Sequence, residues 1–488
     1  MKILLINPSS RLDARAGTYS DSMFPMPPLG LAILAGAARS SGRHEVIVED
    51  QYASRISVRQ IVETAKRESF DLVGISCLSP SMPVAEEIVR ELKAELPATH
   101  VTLGNVHATL FALDILKHLP ADSIVMGEGE DTFAELIAAI ESGGDLAKVD
   151  GLALRRDDNP FLTSPRDPIS DLDRLPRPAW DLFRLDDYRC PPRLMLRERV
   201  LAVYASRGCP WNCSFCSQNV FMPGIRRRSL SKLVDDIEWQ YDELGVAAFG
   251  FQDALFPLTE KEGMDFCRIM EERGLRGKVR WFTETRPDRV SLELLREMKR
   301  CGCKFVMYGF ESASVRHLDA AGKGFKPEQS VQAASWTHQA KLHTYGLFMI
   351  GFPNETQEEA RATIAFAKRL DCIVASFAKV TPYPGSALYK KYESAFPASL
   401  SPWLWNNQYH PKPGESFWQL PGMSPCRISN LLREAMAGYY MRPRMIARHI
   451  RHGVFTLPEM LRGAVWLLKD ILLFAASKFS TSSKRAQP

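Results

Sequence analysis

Three cysteines stand within eight residues, Cys209, Cys213 and Cys216, in the stretch SRGCPWNCSFCSQ (206–218). Thiolates select soft metals: zinc, copper(I) or iron–sulfur clusters. A closed structural zinc site takes four ligands, and a complete ferredoxin-type cluster takes four thiolates. Three thiolates in one loop leave one iron of a 4Fe-4S cluster without a protein ligand. An open coordination position of that kind belongs to a catalytic metal site. Cys301 and Cys303 make a poor second pair, because a Cys-x-Cys bite is unusual and both fall in a helix-to-strand turn. They read as buried, unreactive thiols.

The elements around the cysteines must hold that loop in place. From RVLAVYAS (199–206) onward, short apolar runs alternate with helical stretches: VAAFGFQ (246–252), VRWFTET (279–285), KFVMYGF (304–310), YGLFMIG (345–351) and VASFAKV (374–380). Six such units are too few for a full eight-fold barrel and predict a partial (β/α)6 barrel over 196–395. Chemistry in barrels sits at the C-terminal ends of strands, where the three cysteines fall.

An earlier strand-then-helix rhythm fills residues 1–150. Its apolar runs are ILLI (3–6), VIVE (46–49), LVGIS (72–76), VTL (101–103) and IVM (124–126). Val84, Ile88 and Leu92 share one helix face between two of them, as do Phe133, Leu136 and Ile140 after the last. The pattern predicts an α/β, doubly wound parallel sheet of flavodoxin-like type, with ligands beyond the carboxyl ends of the strands. Residues 151–195, dense in proline and aspartate, read as a linker. Residues 396–488 read as a mainly helical C-terminal extension.

Bulk numbers set outer bounds. The chain has 488 residues, 45% hydrophobic and 24% charged, with a net charge of +5 spread along its length. That spread gives no basis for a nucleic-acid partner, and the run Arg226 to Arg228 reads as a solvated loop. Ten cysteines are too sparse for a disulfide scaffold. MKILLINP reads as a buried strand, so a cytoplasmic, reducing location is expected. No 18-residue uncharged run predicts a spanning helix. The apolar segment 455–479, broken by Glu459, Arg462, Lys469 and Asp470, reads as a helix packed on the body. A helix lying on a membrane surface, giving a peripheral membrane contact, is the alternative.

The C-x-x-x-C-x-x-C spacing after a first barrel strand, with Phe215 before the last cysteine, resembles the radical S-adenosylmethionine (SAM) superfamily. The resemblance implies a 4Fe-4S cluster on Cys209, Cys213 and Cys216, whose open iron binds SAM. It implies reductive cleavage of SAM to a 5′-deoxyadenosyl radical, with an electron donor such as flavodoxin or ferredoxin. Phe215 belongs to the cofactor surroundings in that reading. YGFESAS (308–314) is similar to the superfamily's Gly-x-Glu-Ser strand end, which makes Glu311 a SAM contact. FQDALF (251–256) offers Asp253 as another, with Ala254 where many relatives carry a second acid.

The first domain resembles the cobalamin-binding module that precedes such barrels in one subclass, through LGNVHAT (103–109) and GEGEDTF (127–133). DLDRLPRPAWDLF (171–183) is similar to that subclass's linker. The implied cobalamin contacts are Ser76, Gly104, Asn105, Gly127, Glu128 and Gly129. The Asp-x-His-x-x-Gly signature that supplies a cobalt-ligating histidine is absent from NPSSRLDARAG (7–17), and His107 reads as a hydrogen-bonding residue. The implied activity is radical methylation of an unactivated carbon in a small-molecule substrate. Oxidative cyclisation or another non-methylating rearrangement on the same cofactors is the alternative. Trp403, Trp405, Tyr409 and Trp418, with the apolar tail, leave a large hydrophobic substrate open.

Overall fold

The computed structural model describes residues 1–10, 26–188, 199–396 and 419–454, with scattered positions between 458 and 465. Trp403, Trp405, Tyr409, Trp418, most of the 7–17 stretch and nearly all of the 455–479 tail lie outside the described residues.

The first sheet has seven strands. Five are parallel: β1 (Lys2–Asn7), β2 (Glu45–Asp50), β3 (Leu72–Ser76), β4 (His100–Gly104) and β5 (Ser123–Val125), in the order β2-β1-β3-β4-β5. Helices α1 (Leu29–Arg39), α2 (Val58–Glu68), α3 (Met82–Glu95) and α4 (Gly129–Ser142) cover it. Two apolar layers result. One packs Ile61, Ile88 and Leu92 against Leu4 and Val73; the other packs Leu31, Phe133 and Leu136 against Ile3 and Leu5. Alternate residues of β1 thus feed opposite faces, as a sheet covered on both sides requires.

The sheet continues into residues expected to be linker. Here β6 (Leu152–Arg156) and β7 (Asn159–Leu162) form an antiparallel hairpin on its edge. Their turn residues, Asp157 and Asp158, both have positive φ (47° and 61°), a conformation aspartate tolerates and a two-residue hairpin turn needs. Pro160 is admitted because β7 is an edge strand with no further partner. The proline and aspartate density that suggests a linker is, over these residues, hairpin chemistry. After the hairpin the chain crosses to the second sheet. Trp180 is fully buried there between Ala32 of α1 and Leu201 and Ala202 of the next strand, so the two α/β units share one apolar seam.

The second sheet is all parallel: β8 (Val200–Val203), β11 (Ala248–Phe251), β12 (Arg280–Thr285), β13 (Cys303–Glu311), β14 (His343–Ile350) and β15 (Val374–Lys379), side by side in chain order. Between β8 and β11 lies a small antiparallel pair, β9 (Ser206–Gly208) with β10 (Ile225–Arg227). Helices α5 (Leu230–Asp242), α6 (Glu260–Glu272), α7 (Leu292–Arg300), α8 (Pro327–Gln339) and α9 (Gln357–Leu370) line its outer side. The result is a curved six-stranded partial barrel. Residues of β14 alternate between half-buried and buried along its whole length. Its half-buried set, Tyr345, Leu347 and Met349, faces the concave side. Near the N-terminal ends of the strands, Val454 and Met26 pack against Phe282, Phe305 and Val374. After the barrel, α10 (Pro425–Tyr440) and α11 (Pro443–His452) dock on β15. Tyr439 donates there to the Cys372 carbonyl (2.7 Å).

Candidate functional site

The cysteine loop leaves β9 at Gly208 and returns to β10 at Ile225. Gly208 cannot be another residue: its φ is +84°, and a Cβ would stand 1.6 Å from the Gly224 carbonyl oxygen across the ladder. The loop is tied down elsewhere by backbone bonds, Ser214 N–H to the Ala321 carbonyl (2.9 Å) and Leu388 N–H to the Ser214 carbonyl (2.7 Å). Trp211 lies under two guanidiniums, Arg286 at 4.3 Å and Arg289 at 5.1 Å. Cys209, Cys213 and Cys216 are all free thiols. Desolvation raises Cys209 and Cys216 above the ordinary thiol value, and Cys213 adds to both through its charge. The Trp211 amide, Arg286 and Lys323 oppose that rise at Cys209 without reversing it. Among the described residues, no three His, Cys, Asp or Glu side chains converge as the ligands of a single ion would. Three neighbouring free thiols beside Arg286 and Lys323 are a donor set that suits an anionic iron–sulfur cluster. Cys301 and Cys303 are buried in the core away from this loop.

Opposite the loop, the ends of β12 and β13 carry charge. Glu311 has φ +60°, a left-handed conformation rare outside glycine, and follows an irregularity in the β13–β14 pairing. Its carboxylate is buried and paired with the buried Lys323 Nζ at 2.7 Å. Gly309 makes room, since a Cβ there would lie 2.6 Å from Glu311 Oε1. Lys323 also sits 5.6 Å from the centre of the Phe215 ring. Half-buried Glu284, at the end of β12, has its carboxyl pushed up to about 7 by burial and then by Glu311, while Lys323 opposes the shift. Arg286 donates to the Lys323 carbonyl and pairs with Asp288 (2.9 Å). Sequence reading named Glu311 and Phe215 but missed Glu284, Arg286, Trp211 and Lys323. For Glu284 and Arg286 the signal was the charged run TETRPD (283–288) at the end of an apolar strand.

Asp253 takes a different part from the one expected. Both its oxygens accept from the Ala205 amide (3.1 and 2.9 Å), and one accepts from the Ser206 hydroxyl (2.6 Å). Burial pushes this carboxyl up to about 7. Its oxygens are committed to the turn that leads into β9. The run Arg226 to Arg228 is also not a solvated loop. Arg226 and Arg227 lie in β10 and Arg228 follows it, with Arg226 paired to Glu128 (2.7 Å) and the buried Arg228 to Asp236 (2.8 Å).

In the first domain, the expected residues gather at three adjacent strand ends. Asn105 Nδ2 donates to Ser76 Oγ (3.0 Å), and Asn105 holds φ +78°. Gly104 and Gly127 have no atom within 3.4 Å of where a Cβ would be. The floor they form is small-sided and open, a fit for the broad ring of a corrinoid. Glu128 departs from this group, because its carboxylate turns toward the barrel. His107 is buried, bonded through Nδ1 to Ser79 Oγ (2.9 Å), and burial lowers it to about 3. It serves as a hydrogen-bonding core residue, as expected.

Residues 20–137 match the family described as B12 binding domain, and residues 203–367 match the radical SAM superfamily. The chain is 33% identical over 468 residues to an uncharacterized methyltransferase of Pyrococcus horikoshii, covering 95% of this chain and 98% of that one. The chain belongs to the radical SAM superfamily, in the branch that carries a cobalamin-binding domain. This radical SAM chain is also 31% identical over 371 residues to an anaerobic magnesium-protoporphyrin IX monomethyl ester cyclase of Cereibacter sphaeroides, covering 75% of this chain and 60% of that one. Among solved structures, the radical SAM methyltransferase TsrM of Kitasatospora setae, with cobalamin and a 4Fe-4S cluster bound, shares the fold. It aligns with a TM-score of 0.70 at 18% identity, over 91% of this chain and 89% of that one. The cofactors of this radical SAM enzyme are therefore a 4Fe-4S cluster, SAM and cobalamin, and its substrate is a small molecule processed with a reductant. Among the described residues, no helix is long and apolar enough to cross a membrane.

Proposed function

We propose that this enzyme methylates an unactivated carbon of a largely apolar small molecule held in the concave face of the barrel. With the three cofactors bound, they supply a radical at the substrate carbon and a methyl group to place on it. The chain's own residues bind, orient and shield. Cys209, Cys213 and Cys216 hold three corners of the cluster. Lys323 and Glu311 present opposite charges beside the loop, complementary to the carboxylate and ammonium of an amino-acid group, with Phe215 at their side. Ser76, Gly104, Asn105, Gly127 and Gly129 form the floor for the corrinoid.

Half-buried Met307, Tyr345, Leu347 and Met349 line the concave face, and Met349 and Phe215 pack against the same apolar group of Ala321, Phe352 and Val380. An apolar lining keeps water from a reactive carbon, and thioethers adapt to irregular shapes. Burial holds Glu284 near neutrality, so it is a group able to hold or release a proton at working pH. The observation that carries the reading is the three-thiol loop set directly against the strained Glu311 and its lysine.

An external flavodoxin or ferredoxin supplies the electron. The exposed Ile446 and Ile450 of α11, flanked by Arg444 and Arg451, suit a contact with a membrane surface, which cosedimentation with anionic liposomes tests. Cyclisation is the second reading, favoured by the identity to the cyclase. Anaerobic incubation with methyl-deuterated SAM, reductant and host extract separates the two. Methylation yields 5′-deoxyadenosine and a product carrying the labelled methyl; cyclisation yields a product without it. Absence of 5′-deoxyadenosine overturns both.

A further inference from the structure

Arg207 lies two residues before Cys209, and Arg226 is its direct partner across the β9–β10 ladder. The two side chains therefore project from the same face of the hairpin that bears the cysteine loop. Both reach the first domain. Arg226 grips Glu128 with two bonds of 2.7 Å each and also donates to the Ile169 carbonyl (2.7 Å). Glu128 in turn accepts from the Ile169 amide (2.8 Å). Arg207 donates to Glu130 (2.5 Å) and stands 3.5 Å from Glu128. All four side chains are at most 14% exposed. Burial works against the charged form of Glu128, yet Arg226 and Arg207 hold its carboxyl below the ordinary value.

Two like charges placed opposite each other on a ladder repel, so this pair needs the two carboxylates. Buried ion pairs return little net stability, because desolvation cancels most of the attraction. The apolar seam around Trp180 already joins the two units. What the ionic cluster adds is geometry: two-pronged guanidinium–carboxylate bonds fix direction as well as contact.

We propose that Arg207, Arg226, Glu128 and Glu130 are positioning residues that set the height and tilt of the cysteine loop over the strand ends of the first domain. The role rests on the reading above, in which the loop holds the cluster and those strand ends hold cobalamin. It also gives Glu128 a task other than cobalamin contact.

Glu128→Gln and the milder Arg226→Lys test it, with Asp131→Asn as control. Asp131 sits on the same helix end but pairs with Arg174 at the surface (2.5 Å). Amide exchange of the unloaded chain reads the hairpin. Electron paramagnetic resonance (EPR) of the loaded, reduced protein reads the magnetic interaction between cluster and cob(II)alamin. The expected result is at least tenfold faster exchange across 206–227 and an altered interaction in both variants. Iron content should be unchanged, and the control should match wild type. If Glu128→Gln does not fold, Arg226→Lys decides. Variants that load both cofactors and match wild type in exchange and in the magnetic interaction overturn the clamp alone, as does a lowered melting temperature with an unchanged interaction. A wild-type chain that takes up neither iron nor cobalamin overturns the functional reading, and the positioning role with it.

Discussion

At the carboxyl ends of β3, β4 and β5 stand Ser76, Gly104 and Gly127, small residues; a Cβ at Gly104 would meet nothing nearer than 3.6 Å, and one at Gly127 nothing within 4 Å. At the ends of β12 and β13 stand the titratable Glu284, Arg286 and Glu311, with Lys323 beyond, where Lys323 pairs with Glu311 and accepts from Arg286 through its carbonyl. The first set leaves room for a broad ligand and gives it few charges. The second set is an electrostatic cradle whose strain and burial persist only because surrounding groups hold it. On the reading proposed above, one α/β architecture serves two cofactors by opposite means, shape at one sheet and charge at the other. Substitutions should therefore hurt differently in the two places.

The largest effect belongs to the cysteines. Replacing Cys209, Cys213 or Cys216 by alanine removes one of three cluster ligands, and iron per chain after anaerobic reconstitution should fall at least tenfold. Next comes Gly208→Ala. The added Cβ meets a backbone carbonyl at 1.6 Å with nowhere to move, and the hairpin must open. A loss of about 4 kcal/mol in denaturant unfolding is expected. Lys323→Met leaves the Glu311 carboxylate buried and unpaired, at a cost of about 3 kcal/mol. Weakened SAM binding by calorimetry should accompany it.

Glu284→Gln gives a pH signature. The folded-state value of about 7 lies above the ordinary 4.5, so the protonated form is the one the fold prefers. The stability tied to that proton is full below pH 4.5 and is lost as pH rises through 7. Wild type and variant should therefore match near pH 4, and the variant should lead by about 3 kcal/mol at pH 8. The smallest effect on the fold is Gly104→Val in the first domain, where a Cβ meets nothing nearer than 3.6 Å. Stability should change by less than about 1 kcal/mol, since no core contact is lost. Cobalamin affinity should fall about tenfold by absorbance titration. A large stability loss there would erase the contrast between the two regions.

The parallel strands of both sheets were legible in the sequence, because buried parallel strands are short unbroken apolar runs. The cysteine loop was legible because three thiols at that spacing have few other uses. The β6–β7 hairpin was not, since its turn uses two aspartates in left-handed conformations and its edge strand tolerates Pro160. The run Arg226 to Arg228 misled for a different reason. A run of like charges normally stays in water, and only tertiary structure brings Glu128 and Asp236 up to meet it. The bonds from Ala205 and Ser206 to Asp253 were not legible either, because those donors come from one strand away. Lys323 lies 12 residues beyond Glu311 in a segment with no period to mark it, and only the fold joins the two.

The central claim is that three thiols hold a cluster whose remaining iron is open to SAM. EPR spectroscopy of the reduced, anaerobically reconstituted protein, recorded without and then with SAM, tests it most directly. The account predicts a reduced 4Fe-4S signal whose g-values shift when SAM is added. A cluster signal that SAM leaves unchanged, or no cluster signal at all, would contradict it.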